Sequence, residues 1–189
     1  DLNLEKNIYK AKNEDLKKIF LSILNKNIDP VGDSSMIPTY LIFEKIKNFS
    51  NVAITGDGGD ENFFGYIIFD GFKLALILKK IFPKFLFRFI KFILKPLKIS
   101  DEYMSFRKRI KTFFLGLDEN NEKLLLNWIS TLSLKDIEEN LNIKINKQIF
   151  FQDIKKIYDS NNDKMKFAQT YIFKYYLPVI LNKIDQASM

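Results

Sequence analysis

The sequence predicts a mostly α-helical chain with one or two short parallel strands, the latter marking an α/β part. Three observations lead to this expectation. Residues 52–55 form a short apolar, β-branched run of the kind buried in a parallel sheet. A glycine-rich acidic break follows, and a helix can start behind it at Glu61, because acidic residues in a first turn suit the positive end of the helix dipole. From residue 63 onward almost every segment carries apolar residues at helical spacing.

The rest of the chain is organised around residues 51–66, N-V-A-I-T-G-D-G-G-D-E-N-F-F-G-Y. Gly56, Gly58 and Gly59 let the backbone approach a ligand closely and take positive φ. Asp57, Asp60 and Glu61 load the same break with carboxylates, which suit a hard cation with oxygen ligands. In open α/β sheets ligands bind just beyond the carboxyl end of a strand, which is where this turn falls. An ordinary acidic surface turn has the same composition, and the residues alone leave both readings open.

Composition narrows the chemistry. At 189 residues the chain fits one domain, and 47% apolar residues suffice for a core. An aromatic content of 15%, mostly phenylalanine, argues against disorder. The sequence has no cysteine and no histidine, which removes disulfides, thiolate metal sites, cysteine nucleophiles, Ser-His-Asp catalysis and histidine-rich metal sites. Chemistry must then run on carboxylates, lysines, hydroxyls, backbone amides and bound metal. The net charge of +7 suits phosphates, nucleic acid or an anionic membrane surface, although a biased genome also produces lysine-rich chains. The chain starts at Asp1 and runs to Ala187, Ser188 and Met189 without a helix stop, which reads as a piece of a longer protein.

In chain order, residues 7–10 suit a short strand, and Asn13 with Glu14 and Asp15 begins a helix to about Lys26. A break at residues 28–33 precedes a second helix, capped by Ser34 and Ser35, whose first turn tolerates Pro38. After the acidic turn, residues 65–81 read as a helix, with no run approaching the roughly 18 apolar residues of a membrane span. Residues 83–98 place Lys84, Arg88, Lys91 and Lys95 within an arc of about 80°, opposite a wide apolar face. Such a helix either lies on a membrane surface or, more commonly, packs in a core with one solvated edge. The aromatics belong to its apolar side and do not interleave with the cations, which argues against nucleic acid. Further helices fit residues 106–115, 119–129, 135–141 with Ser133 as cap, 151–158 and 164–176, and Pro178 interrupts the last before the tail.

With these residues in place, the chain resembles the synthetase domain of the glutamine-dependent asparagine synthetase family. Asp29-Pro30, Asp33-Ser34-Ser35 and Ile37-Pro38-Thr39-Tyr40-Leu41 look like the family's D-E-P-F-A-D-S-S-x-I-P-T-Y-L block. Thr55-Gly56-Asp57-Gly58-Gly59-Asp60-Glu61 with Phe64-Gly65-Tyr66 look like its S-G-D-G-G-D-E-x-F-x-G-Y block. Tyr176-Leu177-Pro178, Lys183, Asp185 and Ala187-Ser188-Met189 look like its Y-L-P…K-V-D-R-A-S-M block. The resemblance spans nearly the whole chain and implies an α/β fold of the adenine-nucleotide α-hydrolase type. It makes residues 1–189 a partial synthetase domain.

The resemblance also implies an activity. Aspartate is adenylated with ATP and Mg²⁺, and ammonia released from glutamine by an N-terminal glutaminase domain attacks the adenylate in the cytoplasm. Asp60 then matches a ligand of the metal, Thr55, Gly56, Gly58 and Gly59 meet the nucleotide or adenylate, and Asp57 acts as general base. Asp33, Ser34, Glu61, Lys183 and Asp185 are candidates for substrate contact or support, with Glu61 favoured as a helix starter. The family's Ser-Gly-Gly-x-Asp-Ser phosphate loop and catalytic lysine are expected upstream and downstream of this segment. Within it, Gln186 stands where the family has arginine, and Val179 replaces the acidic residues expected after Leu-Pro, with one residue missing. Relatives that amidate other carboxylates, glycan or peptide, share the acidic block. A non-catalytic remnant acting as a binding or membrane-surface module is a further reading.

Overall fold

A computed structural model describes residues 8–10, 12–25, 32–96, 106–114, 116–130 and 132–188. The expected break at residues 28–31, with Asp29 and Pro30, lies outside these, as does Met189. The chain divides into two compact units, residues 1–58 with 175–189, and residues 59–174.

Helix α1 (Asn13–Asn25) opens the first unit, after residues 8–10, which are irregular and not the expected strand. The Asp15 carboxylate receives the Lys12 N–H at 3.2 Å and the Tyr9 hydroxyl at 3.1 Å, so this acid fixes the helix entrance. Helix α2 (Met36–Ile46) follows, with Pro38 in its first turn, where a missing N–H costs nothing. Residues 52–56 are irregular and form no strand, and Ile54 is fully exposed. This corrects the expectation of one or two parallel strands. A strand needs a neighbour to take its ladder hydrogen bonds, and the described residues contain none.

The second unit begins inside the acidic turn with α3 (Gly59–Phe63) and continues through α4 (Ile67–Ile81) and α5 (Lys84–Leu94). Pro83 and Lys95 bracket α5, so the basic helix is shorter than expected. Helices α6 (Phe106–Phe114), α7 (Asn121–Ile129), α8 (Leu134–Leu141), α9 (Lys147–Ser160) and α10 (Lys164–Tyr171) complete the unit. Three of these starts are written in the sequence as side-chain caps. Ser133 and Asp136 form a reciprocal capping box on α8, the Asn146 amide oxygen takes two N–H groups of α9, and Asp163 takes the Met165 N–H at 2.8 Å.

Helix α4 packs on α7 and α10, α9 on α7 and α10, and α5 on α6. The core between them is aromatic: Phe69, Phe72 and Phe167 are almost completely buried. Phe167 lies 6.0 Å from the Phe72 ring and 5.0 Å, edge-on, from Tyr158.

Residues 172–176 form a π-turn, and within it the chain returns to the first unit as α11 (Leu177–Ser188). Pro178 was expected to interrupt a helix, yet it sits inside α11 directly after this turn. A proline ring collides with the carbonyl four residues earlier in a regular helix, and a wider i→i+5 turn relieves that collision. In the first unit α2 packs on α1 and α11, burying Ile19, Met36, Leu41, Ile180 and Ala187.

Candidate functional site

The acidic turn is read from each unit in turn. On the first-unit side, Ser50 folds back on the chain, its Oγ receiving the Val52 N–H at 3.1 Å and donating to the Val52 carbonyl at 2.8 Å. Thr55, Gly56 and Asp57 then run out exposed to solvent. Gly58 ends this stretch with φ 89°, a conformation that costs a residue with a side chain about 1–2 kcal/mol.

On the second-unit side, Gly59 and Asp60 open the short α3, with the Asp60 carboxylate exposed. The helix is stopped by Phe64 in the left-handed region, φ 58°, and the Gly65 N–H donates to the Asp60 carbonyl at 2.9 Å. Gly65 is a steric requirement. A Cβ there would stand 2.8 Å from Asp60 Cγ and 3.0 Å from its Cα, so the space of the missing side chain is where the carboxylate lies. Phe64 is held in its unfavourable conformation by edge-on contact with Phe69 at 4.8 Å.

Glu61 is expected from the sequence as a helix starter. It is 1% exposed, and Tyr66 donates its hydroxyl to Glu61 Oε1 at 2.6 Å. A carboxylate buried at this depth requires such a partner. The Tyr66 ring stacks on Phe69, and the Gln169 amide donates to the Asn62 carbonyl at 2.9 Å, tying α3 to α10. Glu61 therefore locks the turn from beneath while Asp60 points outward. Tyr66 was visible as a motif residue, but nothing local in the sequence marks it as the partner of Glu61.

A second constellation lies within the first unit. Lys183, on α11 and 8% exposed, donates to Asp33 Oδ2 at 3.1 Å and to Ser35 Oγ at 2.8 Å. Asp33 Oδ1 takes the Ser35 N–H at 2.9 Å. The expected serine cap on α2 is thus replaced. Ser35 occupies the cap position without a side-chain cap bond, its hydroxyl serves the lysine, and Asp33 satisfies its backbone. Partial burial pushes the Asp33 carboxyl up, but the hydrogen bonds from Ser35 and Lys183, with the lysine's charge, outweigh it and hold the group below 3.8. Ser34 is exposed, and so is Asp185. Two residues on a helix stand about 200° apart, so burying Lys183 turns Asp185 outward. The structure joins Lys183 to Asp33 and leaves Asp185 out of that cluster.

For a metal, the described residues contain no group of three or more acidic side chains that could hold an ion by themselves. Asp57 and Asp60 are exposed, and one or two protein carboxylates is the number that Mg²⁺ usually takes beside waters and substrate phosphates.

The family model described as "Asparagine synthase" matches residues 1–189. A Methanocaldococcus jannaschii protein, "Putative asparagine synthetase [glutamine-hydrolyzing] 2", is 44% identical over 59 residues, which are 31% of this chain and 11% of that protein. The match thus spans about a tenth of that relative's length. No solved structure matches.

Proposed function

The chain belongs to the asparagine synthase family, and from that membership we propose that its parent protein is an ATP-dependent, amide-forming ligase acting on aspartate, with ammonia drawn from glutamine. The observation that carries this reading is the turn at residues 55–61, where Asp57 and Asp60 are exposed and Glu61 is buried against Tyr66. In the first half-reaction a carboxylate oxygen of aspartate attacks the α-phosphorus of ATP, and the bond to pyrophosphate breaks. In the second, ammonia attacks the acyl carbon, a proton leaves its nitrogen and AMP departs. Asp57 accepts that proton as general base. Thr55 and the glycines 56, 58 and 59 bring a hydroxyl and close backbone to the nucleotide or adenylate. Asp60 would hold Mg²⁺, which when bound neutralises charge on the departing pyrophosphate. Lys183, Asp33 and Ser35 support the site by fixing the start of α2, with Asp185 available for substrate contact.

Full-length protein carrying Asp60→Asn or Asp57→Asn tests the assignment. Asp60→Asn is expected to abolish pyrophosphate release. Asp57→Asn is expected to retain pyrophosphate release while slowing amide formation by about 10²–10⁴-fold, the usual worth of a general base. Unchanged kinetics in either variant would remove that role.

Gln186 and Val179, which differ from the family's third block, favour a second reading in which the adenylated acid is another carboxylate, on a glycan or peptide. An acceptor panel assayed by pyrophosphate release separates the two: turnover with aspartate alone would dismiss it.

A further inference from the structure

Helix α5 carries a surface that the amide-forming chemistry does not use. One side is anchored in the second unit. Phe87 is 2% exposed, Leu86, Ile90 and Leu94 are half-buried, and Lys91 pairs with Asp118 at 3.2 Å. The outward side is not polar. Phe85, Phe89, Phe92 and Ile93 are 70%, 60%, 74% and 52% exposed. At about 100° per residue these four occupy one side of the helix, and Lys84, Arg88 and Lys95 form an exposed edge directly beside them. Of the four phenylalanines of α5, Phe87 alone is buried, and Phe85, Phe89 and Phe92 are exposed.

Along residues 71–100 the charge of the sequence has one sign. Between residues 71 and 100 there are eight lysines and arginines and no acidic residue, against a net charge of +7 for the whole chain. The basic stretch accounts for the chain's entire excess. Helix α6, which packs on α5, adds the exposed Arg107 and Arg109 and an exposed Phe106. Asp118 engages Lys91 and, at 3.9 Å, Arg88, and leaves Lys84 and Lys95 beside the phenylalanines.

We propose that α5 lies in the plane of an anionic lipid surface, with Phe85, Phe89 and Phe92 inserted among the acyl chains and Lys84, Arg88 and Lys95 at the phosphates. Three features fit this occupant. A phenylalanine wedge bordered by a basic edge is the composition of an interfacial helix, whose binding draws on apolar area and on anionic headgroups together. Lys84 and Lys95 form no ion pair among the described residues, so their charge is available to headgroup phosphates. Nucleobase stacking requires aromatics interleaved with cations, whereas here the rings at i, i+4 and i+7 form an uninterrupted apolar strip. No described helix is long and apolar enough to cross the bilayer, so the contact is peripheral.

The test is co-sedimentation of the full-length protein with vesicles of phosphatidylcholine alone and of phosphatidylcholine mixed with phosphatidylglycerol. Binding is expected with the anionic vesicles only, with release at high salt. Phe85→Ser/Phe89→Ser/Phe92→Ser and Lys84→Glu/Arg88→Glu/Lys95→Glu should each weaken it at least tenfold, with unchanged helical circular dichroism and unchanged pyrophosphate release. These side chains are exposed, so the variants are expected to fold, and retained pyrophosphate release separates this proposal from the catalytic one. Failure to pellet with anionic vesicles would overturn it, as would equal binding to neutral vesicles or variants that bind like the parent. A phenylalanine variant that only turns a dimer into a monomer would assign the face to a second copy. Displacement from oligonucleotide and not from vesicles would assign it to nucleic acid.

Discussion

At the scale of single residues, the turn depends on one absent side chain and one buried carboxylate. Gly65 leaves room for the Asp60 carboxylate, and a methyl group there must displace it or shift the backbone. Gly65→Ala in the full-length protein is therefore expected to lower pyrophosphate release at least tenfold. An unaltered rate would mean that the carboxylate's position does not matter. The Lys183–Asp33–Ser35 cluster makes a thermodynamic prediction. The Asp33 carboxyl is held below 3.8 in the folded protein, so its contribution is present above pH 3.8 and lost as pH falls through the lowered folded value. Asp33→Asn should destabilise at neutral pH by about 1–3 kcal/mol, because it leaves the Lys183 ammonium without its anion. Thermal unfolding against pH should show that difference shrinking below pH 3.8, and a constant difference would contradict it. This cluster was beyond the reach of sequence reading because its partners are 150 and 148 residues apart. A spacing rule sees neighbours on a helix or strand and nothing across such a separation.

Among the elements, the helices were legible and the strand was not. Ser133 with Asp136, and Asp163, satisfy backbone groups within their own segments, so their residue types announce the helix starts, whereas the expected helix at residues 151–158 begins four residues late, past the Asn146 cap of α9. A strand is a property of a pair, and residues 52–55 have the right side chains without a partner among the described residues. Pro178 misled for a related reason. Whether it breaks a helix depends on the turn before it, here a π-turn that leaves room for the ring. Helix α4 supplies a prediction of its own. The Lys79 ammonium donates to the Glu119 carbonyl at 2.6 Å. Burial, with the nearby charge of Lys84, brings it down to about 8, against the pull of Glu122, Asp118 and Glu119. Between pH 8 and 10.5 the unfolded chain binds a proton that the folded one does not, so stability from this group rises with pH across that window. Wild type should gain on Lys79→Met in unfolding midpoint as pH increases through it, and parallel curves would mean that the ammonium is not desolvated.

Across the whole molecule, both passages between the two units fall on distinctive local structure, one in the acidic turn after Gly58 and one in the π-turn at residues 172–176. Thr55, Gly56, Asp57 and Gly58 belong to the first unit, and Gly59 and Asp60 to the second. The family's phosphate-binding loop is expected outside residues 1–189, so this segment expressed alone should release no pyrophosphate from ATP with any carboxylic acid, whereas the full-length protein should. Turnover by the segment would show that the acidic turn suffices without that loop.

The aromatic core also gives the protein an optical asymmetry. Its single tryptophan, Trp128 on α7, is half-buried and stacks on Phe113 at 5.7 Å, inside the second unit, whereas the first unit has tyrosines and phenylalanines but no tryptophan. Selective excitation of the indole therefore reports on the melting of residues 59–174 and is blind to the rest. Absence of cysteine completes the tool, since a single thiol placed on α1 or α2 would be a unique attachment point for a second dye. Two colours recorded in one denaturation would show whether the halves of this chain lose their structure together or in sequence.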